Sequence, residues 1–146
     1  MNADLIRIIL VDDHKLVRQS WKYLLQNNPG FRVIAECENG HSAIEEAERL
    51  LPDIMLIDMN MKPMNGFDVT EKIIQKNPSV KIIGLSVNNY PAYATRMLEL
   101  GARGYLTKTS PIEEINHAIL EVYRGTLYVC EEVKKAMSSS GPTEFL

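Results

Sequence analysis

Five short aliphatic runs without polar alternation narrow the folds open to this chain more than any other feature. They are Leu5 to Val11, Phe31 to Cys37, Ile54 to Asp58, Val80 to Ser86 and the short Gly104 to Thr107. Stretches such as IIL, IMLI and KIIGL present no polar face, which suits strands covered by helices on both sides. Between them the apolar period changes to three and four. Val17, Trp21, Leu24 and Leu25 share one helical face, as do Ala43, Ala47, Leu50 and Leu51. Ile112, Ile115, Ile119 and Val122 form the clearest stripe. That last helix has a marked start, with Ser110 as N-cap, Pro111 at the first helical position and Glu113 closing a capping box. Strand–helix alternation repeated in this way predicts an α/β fold, a parallel sheet joined by right-handed crossovers.

A chain of 146 residues holds one domain and a short appendage. After Gly125 the pattern weakens. Thr126 to Val129 reads as a short extended piece and Glu131 to Met137 as two helical turns. Ser138, Ser139, Ser140, Gly141 and Pro142 read as a linker before the apolar Phe145-Leu146 end. The division is therefore residues 1–125 as the folded domain and residues 126–146 as an extension leading toward an output domain outside this chain. A net charge of −3 offers no general attraction to nucleic-acid phosphates, and no local basic patch stands out. No apolar run is long enough to span a bilayer, and nothing at the N-terminus reads as a signal peptide, so a cytoplasmic, soluble protein is expected. Cys37 and Cys130 match no metal spacing and read as reduced, buried thiols.

In an open parallel sheet, ligands bind at the carboxyl ends of the strands. The first strand ends in Asp12 and Asp13, the third in Asp58 and the fourth in Ser86, while Lys108 follows the fifth. Singly, each has a plain structural use: Asp12, Asp13 or Ser86 as a helix cap, Asp58 as a turn former, Lys108 as a solvated surface lysine. Independent capping does not require all these loops on one edge to be so equipped. Three crowded acids repel unless a cation compensates, and Mg²⁺ suits them, since it takes carboxylates and accepts phosphate oxygens. Together the residues describe a phosphoryl site.

These residues, with Tyr105 three positions before the lysine, resemble the response-regulator receiver family of two-component signalling. The resemblance runs over about residues 4 to 125. The stretches VDDHKLVR, IDMNMKPMNG, GLS and GARGYLTK are most similar to receivers that precede a LuxR/NarL-type helix-turn-helix domain. The resemblance implies a flavodoxin-like three-layer (βα)5 fold with five parallel strands in the order 2-1-3-4-5. It implies that Asp58 accepts the phosphoryl group from a phosphohistidine on a sensor histidine kinase. Asp13 and Asp58 would bind Mg²⁺ directly, Asp12 mainly through a metal-bound water, and the backbone carbonyl of Asn60 would supply a further ligand. Lys108 would pair with one phosphoryl oxygen and Ser86 would hydrogen-bond another. Ser86 and Tyr105 would form the switch, and phosphorylation would favour a homodimer. DNA would be bound only through a C-terminal domain absent from this chain.

The chain departs from the family pattern at three places. Lys62 stands where proline is usual four residues after the phosphoacceptor, and Pro63 follows it. Thr109 replaces the proline common after the active-site lysine. A non-proline cis bond there would cost roughly 2.5–4 kcal/mol, so a trans peptide is expected. Val87 is bulkier than the small residue common after Ser86, which favours a long-lived phosphoryl group. His14 is expected in the first turn of a helix, pointing to solvent. His41 and His117 have no partners by spacing. Gly66 serves the loop-to-helix turn, and Met59, Met61 and Met64 serve packing. Acids, Mg²⁺, serine and lysine also furnish phosphohydrolases of the haloacid type, but those need a second aspartate where this chain has Asn60. The expected role is a signalling phosphoacceptor with slow self-dephosphorylation, not an enzyme.

Overall fold

The computed structural model describes residues 5–140, with side chains through 138. Gly141-Pro142 of the expected linker and the Phe145-Leu146 end lie outside the described residues. The strands and helices alternate as β1 (Ile6–Val11), α1 (Lys15–Gln26), β2 (Phe31–Cys37), α2 (Gly40–Leu50), β3 (Ile54–Asp58) and α3 (Gly66–Lys76). They continue as β4 (Lys81–Ser86), α4 (Pro91–Glu99), β5 (Gly104–Thr107), α5 (Ile112–Tyr123), β6 (Tyr128–Val129) and α6 (Glu131–Ser140).

The sheet is wholly parallel and runs β2-β1-β3-β4-β5-β6. The flavodoxin-like order is as expected, but the strand count is six rather than five. The added strand is the piece beginning near Thr126. Tyr128 and Val129 pair with Gly104 and Tyr105, because the edge of β5 has unpaired backbone groups to satisfy. Immediately beyond, Cys130 and Val133 are fully buried and seat α6 on the core. Ser138 to Ser140 continue α6 instead of starting a linker.

Burial explains the absent alternation. All five residues of β3 are buried, as are five of the six in β4, so neither face meets water. The helical stripes fall where their periods put them. Trp21 and Leu25 of α1, Ala43 and Ala47 of α2, and Ile115, Ala118, Ile119 and Val122 of α5 are buried. Leu24, 39% exposed, is the exception on the predicted face of α1, and on that of α2 the exception is Leu51. It is 55% exposed and left-handed at φ 47°, closing α2 in the conformation a helix C-terminus favours. Arg7 donates to the carbonyls of Leu50 and Leu51, satisfying acceptors the helix leaves over.

The start of α5 differs from the prediction. Pro111, not Ser110, is the N-cap, and no side chain caps the helix. The Ser110 hydroxyl lies 3.2 Å from that of Thr107 instead, so the hydroxyl cluster at the end of β5 takes the oxygen a capping box would have used. Among the described residues no helix is long and apolar enough to cross a membrane. Cys37 and Cys130 are buried free thiols, and burial pushes Cys37 up to about 11.

Candidate functional site

The loops leaving β1, β3, β4 and β5 meet because these strands are consecutive neighbours. Val11 pairs with Ile57, Asp58 with Leu85 and Ser86 with Thr107, so the residues ending each strand lie side by side. Strand order reverses at β1, which opens the crevice between the β1 and β3 ends. Asp12, Asp13, Asp58, Ser86 and Lys108 all reach this rim.

Asp58 is fully buried. Its Oδ1 accepts from the Asn60 amide at 3.1 Å and faces Lys108 Nζ at 3.2 Å, while Oδ2 is buried without a hydrogen-bond partner. Asp12 is 4% exposed, and its Oδ2 accepts from Lys108 Nζ at 3.0 Å. Lys108 thus bridges two buried carboxylates, and its own amide donates to the Ser86 carbonyl at 2.8 Å. Burial raises the Asp58 carboxyl above its usual range, the Asn60 amide and Lys108 oppose this, and Asp12 reinforces it.

One ammonium does not balance Asp12, Asp58 and the partly exposed Asp13. Carboxylate oxygens of all three, with a ring nitrogen of His14, lie within 4.8 Å of one another. The unpartnered Asp58 Oδ2 and an all-carboxylate acid set fit a hard divalent cation such as Mg²⁺. Asn60 is exposed, and its amide is what engages Asp58.

His14 is not a first-turn residue. It is the N-cap of α1 in extended conformation, and its exposed ring turns back so that Nδ1 lies 3.0 Å from Asp13 Oδ1 and 3.3 Å from Asp12 Oδ1. Its amide also donates to Asp12 Oδ1 at 2.8 Å. Direct succession to Asp13 was the signal for this contact. Arg18, which sequence reasoning passed over, donates to the Asp12 carbonyl at 2.7 Å and pairs with Glu36. One helical turn after His14, it fixes the peptide that carries the acids.

Ser86 is buried, and its Oγ accepts from the Asn88 amide at 3.2 Å. Tyr105 is also fully buried, with its ring pointing inward. Burial pushes its phenol up to about 12, the nearby Ser86 hydroxyl opposing this; no partner comes within hydrogen-bonding geometry of the Tyr105 hydroxyl. Gly84 makes room for the ring: a Cβ there would lie 3.0 Å from Met59 Sδ and Met97 Cε and 3.2 Å from Tyr105 Cδ1. Gly66 is needed for close approach rather than for its turn. A Cβ would sit 2.8 Å from Met59 Cα and 2.9 Å from the Asp58 carbonyl oxygen. Among the described residues the one cis peptide is Lys62-Pro63, and Lys108-Thr109 is trans as expected. Lys62 and Val87 are exposed at the rim, Val87 at 69%.

An acid cluster, a bridging lysine and a buried hydroxyl at the switch point of a flavodoxin-like sheet define a class of signalling domain. The chain belongs to the response regulator receiver domain family, which it matches over residues 8–120. Among curated relatives, it is 37% identical over 133 residues to the transcriptional regulatory protein DegU of Brevibacillus brevis, covering 91% of this chain and 56% of that protein. Among solved structures, a LuxR-family two-component response regulator from Aurantimonas sp. SI85-9A1 superposes with a TM-score of 0.90 at 28% identity. That match covers 94% of this chain and 98% of the other. The signal receiver domain of the putative response regulator NarL from Mycobacterium tuberculosis gives 0.80 at 29% identity, covering 84% and 99%. These similarities place the chain with the receivers of NarL/LuxR-type regulators. It spans less than two thirds of the length of the curated relatives it matches.

Proposed function

We propose that this chain is a phosphoacceptor switch in which Asp58 takes a phosphoryl group from a phosphohistidine of a sensor histidine kinase. The observation that carries the reading is the placement of Lys108 Nζ 3.0 Å from Asp12 and 3.2 Å from Asp58, beside an Asp58 oxygen that has no partner. An Asp58 carboxylate oxygen forms the new bond to phosphorus as the bond from phosphorus to the leaving imidazole breaks. Negative charge on the transferring oxygens is met by the Lys108 ammonium and the Ser86 hydroxyl, both at the rim beside Asp58. Burial strips water from Asp58, which favours attack and slows later hydrolysis. Asp13, Asp58 and the Asn60 carbonyl would hold Mg²⁺ directly and Asp12 through water. Its chemistry is neutralisation of charge on the phosphoryl oxygens.

Phosphorylation adds roughly one to two negative charges and three acceptor oxygens beside Ser86 and Lys108. Ser86 releases the Asn88 amide to meet the phosphoryl group, and Tyr105 holds the space behind it. The surface from Val87 to Thr109 is then the bistable element, with α4 its most mobile part. Output passes to a DNA-binding domain outside this chain in a cytoplasmic transcription regulator, with homodimer formation as an accompanying step. Acetyl phosphate with Mg²⁺ tests the reading. One phosphoryl group per chain should accumulate, in a reaction abolished by chelation. Many turnovers of donor with no labelled protein would instead indicate a phosphohydrolase.

A further inference from the structure

We infer that Glu132, in the first turn of α6, is a positioning residue for Lys108, and that through it α6 senses the state of the phosphoryl site. This rests on the function proposed above. Lys108 is flanked by Thr107 and Thr109, and both hydroxyls donate to Glu132 Oε1 at 3.0 Å. The two hydroxyls also lie 3.2 Å from each other, so one carboxylate oxygen holds both neighbours of the lysine. Thr107 is 1% exposed, and a hydroxyl at that depth needs a partner. The grip has a second point. The Cys130 amide donates to the Tyr105 carbonyl at 3.0 Å, so the segment leading into α6 is tied to β5 at the inward tyrosine as well as beside the lysine.

Two further anchors hold the start of α6 to α5 and to the core. Glu114 accepts from the Tyr128 hydroxyl and the Glu131 amide, both at 2.8 Å, which fixes the start of α6 to α5. Cys130 and Val133 are buried in the core. Glu132 is the residue of α6 whose carboxylate engages the Thr107–Thr109 turn directly. When Lys108 turns from two carboxylates toward a phosphoryl group, the peptides on either side must adjust and the Glu132 hydrogen bonds with them. By linkage, whatever loosens α6 alters phosphorylation to the same thermodynamic extent.

The test is amide hydrogen exchange of α6 with Mg²⁺ and beryllofluoride as the phosphoryl mimic, bound mimic being read by fluorine NMR. In the wild-type chain, α6 opening should change by about fivefold to tenfold on binding, the lower range of ordinary allosteric coupling. Glu132→Ala should lose this response while still binding the mimic, and Glu132→Gln, which keeps an acceptor oxygen, should largely restore it. Where Glu132→Ala frays α6 outright, Thr109→Val decides, since it removes one donor without touching α6 and should shrink the response. Bound mimic with no change in wild-type α6, or an unchanged response in Thr109→Val, overturns this inference alone. A wild-type chain that does not take the mimic overturns the proposed function with it.

Discussion

Asp58→Asn should stabilise the metal-free chain, because the folded site holds this charge poorly. At an effective dielectric of about 20, Lys108 Nζ at 3.2 Å attracts Asp58 by about 5 kcal/mol. At the same dielectric, Asp12 at up to 4.8 Å repels it by about 3.5 kcal/mol. Asp13 is about a third exposed, and screening reduces its repulsion to roughly 1 kcal/mol. These terms nearly cancel. What remains is a buried carboxylate with one unpartnered oxygen, a cost of about 1–3 kcal/mol. The variant should therefore gain about 1–2 kcal/mol, or roughly 3–8 °C in Tm. Urea titration in EDTA, followed by the fluorescence of Trp21, measures it. The pH dependence has a definite sign. The folded Asp58 pKa lies above the unfolded 3.8, so the folded chain binds that proton first. Its destabilisation is full at neutral pH and is relieved as pH falls through the raised value toward 3.8. The two proteins should then converge on acidification. A variant less stable than wild type at neutral pH, or a gap that widens in acid, would refute the electrostatic reasoning.

Asp13→Asn should weaken Mg²⁺ binding by about tenfold or more while raising stability in EDTA by no more than the roughly 1 kcal/mol of repulsion it removes, and a metal titration giving wild-type affinity would remove Asp13 from the ligand set. Gly66→Ala should cost about 1–3 kcal/mol in urea melts and slow labelling of Asp58, since the new methyl meets the Met59 and Asp58 backbone. Wild-type stability there would mean that this contact relaxes freely. Beryllofluoride should alter amide protection between Val87 and Thr109, most of all in α4. Changes confined to residues before Asp58 would put the switch elsewhere.

The sheet was legible because strands covered on both faces must be apolar throughout, and IMLID is buried at all five positions. The site was legible for a related reason, since strand ends in such a sheet converge and the polar residues there stand out against the runs before them. The sixth strand was legible only as a short extended piece, not as part of the sheet. Tyr128 and Val129 carry no periodic signal, and they form a strand because β5 offers an edge. The start of α5 misled because Ser110-Pro111 satisfies a local rule, while the Thr107 hydroxyl, 3.2 Å away, took the Ser110 hydroxyl instead.

His14 and Glu132 escaped for opposite reasons. His14 adjoins the acids in sequence, but its turn toward them depends on an extended backbone at φ −103° and ψ 109°. Glu132 lies 25 residues from Thr107, and only the pairing of β6 with β5 brings it near. Gly84 and Gly66 show the same limit. A glycine needed for close packing carries no local signature, and the neighbours that require it are Met59, Met97 and Tyr105.

Localising the acyl phosphate tests the central claim most directly. After acetyl phosphate treatment with Mg²⁺, borohydride reduction converts an aspartyl phosphate into homoserine, which tandem mass spectrometry can place in the sequence. Homoserine should be found at position 58, with unmodified aspartate at positions 12 and 13. Homoserine at either of those positions, or none anywhere in a chain that binds Mg²⁺ normally, would contradict the assignment of Asp58 as the phosphoacceptor.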